Sequence, residues 1–226
     1  MNNIPTFIPQ KENPRKTLNN IFSLQERVNI NQAISLGYSE VMKDSEKLKW
    51  YSANYDKGVL SRMRSLSVIY FLRLLVLNGK LPVKFSIEKN KQGNAKYILG
   101  SALDGSFCFT VNQTQTYSKS SPKAQYRADR HCAFQSYFDF GLDGSDNLIT
   151  NKPLYFELNH GYRGLEPKFI VLGIPDNNQG WYAVDNILQS TPLQIKESNN
   201  KMTNENAIQD YNWEDFENFI LGKGEI

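Results

Sequence analysis

The sequence predicts an α+β fold in which N-terminal helices pack on a mainly antiparallel β-sheet of hairpins and meander, with a short C-terminal helix. Three observations carry that prediction. Apolar residues recur at spacings of three and four through Lys57 to Leu77, the mark of a helix. They alternate at a period of two in segments between Val83 and His160, the mark of strands with one buried face. Turn clusters too short to hold a crossover helix separate successive strand runs, so neighbours in sequence should pair antiparallel.

The 226 residues suit a single domain, and 40% hydrophobic with 22% charged residues is an ordinary globular balance that excludes a disordered chain. The chain divides into an N-terminal arm (1–16), a helical part (17–78), a β-rich core (82–187), and a polar segment leading to the C-terminal helix (188–226). A net charge of +3 permits a nucleic acid or another anionic partner without demanding one. Cys108 and Cys132 lie in strand-like apolar runs and read as buried thiols. The N-terminus has no signal-peptide core. The strongest apolar run, Ser67 to Leu77, contains Arg73 and falls short of the roughly 20 residues a membrane span needs. A cytoplasmic protein with no membrane contact is expected.

Taken in order, Met1 to Lys16 holds three prolines and no periodicity, which reads as an arm. Ser23-Leu24-Gln25-Glu26 is a capping box, serine and glutamate each satisfying an amide that the helix leaves free. The helix it opens should reach about Leu36 and end at Gly37. Tyr38 to Asp56 suits a surface helix anchored by Trp50, Tyr51 and Tyr55. Lys57 to Leu77 is the helix that should plug the sheet, with Asn78-Gly79 as its stop. Arg62 and Arg64 on its first half are candidate phosphate contacts.

Val83, Phe85 and Ile87 alternate with polar residues as a half-buried strand, Lys96 to Ser101 returns, and Asp104-Gly105 turns the chain into Phe107 to Val111. Asn112 to Arg130 lacks apolar periodicity but carries Lys119, Lys123, Arg127 and Arg130 with Tyr117 and Tyr126 among them. Cations that contact a backbone and aromatics that stack on bases make this loop a candidate nucleic-acid surface. His131 to Phe140 alternates as a strand feeding the unit that follows. In Leu154 to His160, Leu154, Phe156 and Leu158 share one face, while Tyr155, Glu157 and Asn159 share the other. Phe169 to Ile174 is apolar on both faces, as in a central strand, and Trp181 to Asp185 completes the meander. Leu188 to Gln209 is polar and irregular. Asn212 to Gly222 closes the chain as a helix with Trp213, Phe216, Phe219 and Ile220 on one stripe.

The argument for chemistry lies in the stretch from Asp143 to Ile187 and starts from Glu157. A divalent cation that cleaves a phosphodiester needs converging carboxylates, so that it can polarise a phosphoryl oxygen and activate a water. Asp143 or Asp146, on the turn before the strand, together with Glu157 within it, can supply them. Asp146, ten intervening residues, then Glu157-Leu158-Asn159 resembles the metal site of PD-(D/E)XK restriction-endonuclease-like nucleases over about residues 139–172. Asn159 stands where that family usually has lysine. The resemblance implies Mg²⁺ on Asp146 and Glu157, with Asp143 as the alternative first ligand, and Asn159 positioning the attacking water. It also implies sequence-specific or structure-specific cleavage of double-stranded DNA. A homodimer is expected with it, since two strands call for two symmetry-related sites.

Two other readings stand beside it. A metal-independent DNA-processing enzyme would use His160 for proton transfer beside a carboxylate and Arg163 to hold a phosphate, with Tyr162, Glu166 and His131 nearby. A non-enzymatic nucleic-acid- or protein-binding module would present Tyr117, Tyr126, Tyr155 and Trp181 as its contact surface. Glu166-Pro167-Lys168 also spells an acidic-x-Lys pattern and ranks below Glu157, because a proline at a strand entrance makes a poor platform.

Overall fold

A computed structural model describes residues 6–8, 13–47, 57–90, 92–93, 96–128, 130, 137–139, 153–161, 164–176, 178–191 and 213–221. The fold is α+β: the described residues form three N-terminal helices, a six-stranded open sheet and a short C-terminal helix.

The helices are α1 (Pro14–Ile21), α2 (Leu24–Lys47) and α3 (Lys57–Leu77). Helix α1 begins inside the segment read as an arm. Pro14 sits where no amide donor is needed, and the Asn13 carboxamide accepts from the Arg15 amide at 3.0 Å. The strand β1 (Thr6–Ile8) also falls in that segment. The capping box forms as expected: Ser23 N–H donates to Glu26 Oε2 at 2.7 Å and Glu26 N–H to Ser23 Oγ at 3.3 Å.

Helix α2 does not stop at Gly37 but continues for ten more residues to Lys47. The reason is packing. A Cβ on Gly37 would stand 2.9 Å from the Val68 backbone, so the glycine marks the closest approach of α2 to α3 and not a helix end. Helix α3 has the predicted bounds, and it buries Val68, Leu72 and Leu74 among others. It closes through paired bonds, Gly79 N–H to Val76 O at 3.0 Å and Lys80 N–H to Leu75 O at 2.8 Å, with Gly79 at φ 65°. Trp50, Tyr51 and Tyr55 lie outside the described residues.

The sheet strands are β2 (Val83–Lys89), β3 (Lys96–Ala102), β4 (Phe107–Gln113), β6 (Leu154–His160), β7 (Ile170–Pro175) and β8 (Trp181–Asn186), hydrogen-bonded in that order. All neighbours are antiparallel except β4 and β6, which run parallel from Phe107↔Leu154 to Gln113↔His160. The segment read as a strand from His131 to Phe140 is described only over β5 (Tyr137–Asp139), and it does not join the main sheet. It pairs with β1 in a separate ribbon. Parallel strands cannot be joined by a tight turn, and a long segment separates Gln113 from Leu154. That segment contains the short helix α4 (Gln125–Ala128).

One face of the sheet, with Phe109, Phe156, Leu158, Ile170 and Leu172, packs on the helices. Phe22 meets Phe109 and Phe156 edge-on with centroids 6.0 and 5.8 Å apart, and those two rings stack at 4.9 Å. Arg27 ties α1 to the sheet, donating to the Phe22, Leu18 and Asn19 carbonyls and pairing with Asp185 at 2.6 Å. A one-turn helix, α5 (Ile187–Ser190), follows β8, and α6 (Trp213–Leu221) buries Phe216 and Phe219 as its stripe predicts.

Candidate functional site

The pleat of β4 and β6 builds a polar patch on the sheet face turned away from the helices. In-register pairing sets Cys108 beside Tyr155, Thr110 beside Glu157 and Asn112 beside Asn159. The chain beyond β4 folds over this patch. Its Thr114 amide donates to the His160 carbonyl at 3.0 Å, its Ser120 amide to the Gln179 carbonyl at 3.1 Å, and Trp181 Nε1 donates to the Tyr117 carbonyl at 3.0 Å. The basic segment is therefore a pinned cover rather than a free loop over its first part.

Glu157 lies at the centre and is 0% exposed. Its Oε2 accepts from the Ser121 amide at 2.8 Å and from Asn159 Nδ2 at 2.9 Å. Asn159 Oδ1 in turn accepts from Asn112 Nδ2 at 2.9 Å and Ser121 Oγ at 3.2 Å. With both ends engaged, Asn159 fixes the carboxylate, which is a different task from positioning a water. The Tyr155 hydroxyl and Thr110 Oγ1 lie 2.7 Å apart, and Asn112 Nδ2 donates to the same threonine oxygen at 3.0 Å. Glu157 Oε1 is the exception: buried, it has no hydrogen-bond partner.

Arg127 faces the same ground. Its Nε and Nη1 are buried and unpartnered, and its guanidinium carbon stands 5.0 Å from the Tyr126 ring. Both charges act on the same two phenols. Burial pushes Tyr155 well up, with the Glu157 charge adding to the rise and Arg127 opposing it. Tyr126 is raised by burial first, lowered by Arg127 and raised by Glu157. Yet the ion pairs among the described residues are Arg27–Asp185 and Lys43–Glu40, so Arg127 and Glu157 share a neighbourhood without touching. Tyr126 stacks on Tyr97 at 3.9 Å, and Arg130 closes the edge by donating to the Tyr97 hydroxyl at 3.4 Å.

His160 does not join this patch. The period of two turns it to the helix face, where it is buried and its Nδ1 lies 2.9 Å from the Tyr38 hydroxyl. That hydroxyl donates its one proton to the Gly161 carbonyl, which leaves Nδ1–H as donor to Tyr38. Burial lowers the imidazole pKa to about 3. A histidine held neutral on the face opposite Glu157 cannot share a proton with it, so the pairing read from the sequence is not made.

Asp143, Asp146, Arg163, Tyr162 and His131 lie outside the described residues. Among the described residues no group of three His, Cys, Asp or Glu gathers to hold a metal. Glu166 and Lys168 are exposed on the connection before β7. Arg62, Lys119 and Lys123 are exposed, and Tyr117 is 55% exposed, with its ring against Phe169. Arg64, by contrast, is buried, with its guanidinium beside the Tyr38 ring of α2.

Thr110, Asn112 and Ser121 were not legible as site residues. Asn112 looked like the first residue of the loop, whereas β4 runs on to Gln113. The signal lay in the alternation of Cys108, Thr110 and Asn112, which copies that of Tyr155, Glu157 and Asn159. No family model, curated protein or solved structure matches the chain.

Proposed function

We propose that the protein is a metal-dependent, restriction-endonuclease-like enzyme that hydrolyses phosphodiester bonds in DNA. The observation that carries this reading is the half-satisfied carboxylate of Glu157. A buried acceptor without a partner costs about 1–3 kcal/mol, and more when charged, so a chain keeps one where a ligand relieves it. Mg²⁺ is a hard cation that takes carboxylate oxygens, and Glu157 Oε1 is such an oxygen. In this reading Asp146, with Asp143 as the alternative, completes the protein's share of the coordination. A bound Mg²⁺ would supply charge for a phosphoryl oxygen and acidity for a water. The chain's own residues do the rest: Ser121 and Asn159 hold Oε2 so that Oε1 stays free, and Arg127 offers unpartnered N–H groups to a phosphate oxygen. Lys119, Lys123 and Arg62 are exposed and suit backbone contact.

The same reading has the enzyme working on duplex DNA in the cytoplasm as a homodimer. No helix among the described residues is long and apolar enough to cross a membrane. A non-enzymatic binding module is the competing reading, favoured by exposed Tyr117 beside exposed Lys119.

The test is incubation of purified protein with plasmid and linear DNA, with Mg²⁺ or with chelator. Cleavage that needs Mg²⁺ and is lost in Glu157→Gln, with the variant's circular dichroism unchanged, is the expected result. Salt-sensitive DNA binding without cleavage under any condition selects the binding module.

A further inference from the structure

We propose that a second binding site, for a phosphate group, lies on the helix side of the sheet at the C-terminal ends of β4 and β6, with the Arg64 guanidinium as its anchor. This proposal does not rest on the nuclease reading, because it uses the opposite face of the strands.

Arg64 is 5% exposed. Its Nε is buried without an acceptor, and among the described residues no carboxylate pairs with it. The Tyr38 ring lies beside it, with its centroid 5.7 Å from the guanidinium carbon. Arg27 shows what a structural arginine does in this chain: equally buried, it donates to three carbonyls and pairs with Asp185. Arg64 does none of this. Burial lowers its pKa, and the one charge that offsets the fall is that of Tyr38. Of its three nitrogens, Nε is a buried donor with no acceptor.

The surroundings are polar and internally committed. The Tyr38 hydroxyl donates to the Gly161 carbonyl and receives Gln113 Nε2 at 3.3 Å, while Ser61, one turn before Arg64, donates to Gln113 Oε1. These groups satisfy each other and leave the guanidinium as the free donor. Its position fits a ligand site as well. Gln113 and His160 end the parallel pair, and the two chains part there, β4 toward the cover segment and β6 toward Gly161. In open α/β sheets, ligands sit outside the carboxyl ends of parallel strands whose connections diverge, and β4 and β6 form the parallel pair among the described strands of this otherwise antiparallel sheet. A planar fork of N–H donors matches the oxygens of an oxyanion two at a time, which fits a phosphate and excludes a cation or an uncharged base.

The source of that phosphate is either the free ion or the end of a nucleotide or DNA strand. The experiment is thermal denaturation and titration calorimetry in phosphate-free buffer, with three probes: inorganic phosphate, a nucleoside 5′-monophosphate, and an oligonucleotide with or without a 5′-phosphate. Phosphate should raise the melting temperature of the wild type and bind saturably. Arg64→Met should lose that response while being at least as stable as wild type without phosphate, since it removes an uncompensated buried charge. Arg64→Lys, which keeps the charge, should fold and bind roughly tenfold more weakly, the loss of one bidentate contact. Tighter binding of the 5′-phosphorylated oligonucleotide identifies strand ends as the source; a response to inorganic phosphate alone identifies the free ion. A wild type indifferent to every probe overturns the proposal, and destabilisation of Arg64→Met in the same buffer then makes Arg64 a packing residue.

Discussion

At the scale of single residues, Glu157 and His160 lie three positions apart on one strand and meet opposite physics. Glu157 faces a bed of donors, Ser121 and Asn159, that settle one oxygen of its carboxylate. His160 faces the apolar core, with Tyr38 edge-on at 5.6 Å. A histidine that titrates near 6.5 when unfolded and about 3 when folded binds fewer protons in the native state between those values. Its contribution to stability is therefore intact above about pH 6.5 and is lost as the pH falls toward 3. Urea denaturation should show about 1.4 kcal/mol lost between roughly pH 7.5 and 5.5. His160→Gln should flatten that decline, and an unaltered pH dependence in the variant would assign the proton to another group.

At the scale of elements, what could be read from the sequence was whatever is decided locally. The capping box of α2, the bounds of α3 and the hairpin at Gly105 follow from residues within a few positions of each other. The alternation in β6 also correctly separated Glu157 and Asn159 from Phe156 and Leu158. The errors concern contacts distant in sequence. Gly37 looks like a helix stop until Val68, on another helix, is seen against it. The parallel partner of β6 is β4, and the matching alternation of the two strands does not by itself say that they are neighbours or that they run parallel. Of the candidate site, Glu157, Asn159 and Arg127 were legible by residue type, whereas Ser121 reaches Glu157 only because the chain after β4 folds back over the sheet. Gly37→Ala sets helix propensity against packing. Alanine is favoured by about 1 kcal/mol in an exposed helix, but its methyl would meet backbone atoms of Val68 that cannot swing aside. The variant should be less stable by about 1–3 kcal/mol in chemical denaturation. Equal or greater stability would show that α2 and α3 separate freely.

For the whole molecule, the open sheet divides the work between its two faces. The helix face holds the stacked phenylalanines and most of the buried apolar side chains, so it carries the stability. The other face, over β4 and β6, spends its burial on polar groups that match each other, apart from Glu157 Oε1 and Arg127. A fold held from one side can keep such unmatched groups on the other, and those two are the reason for placing chemistry there. Calorimetric titration of the metal-free protein with Mn²⁺ tests this most directly. One saturable site per chain, absent in Glu157→Gln, is the predicted result; superimposable isotherms for the two proteins would contradict it.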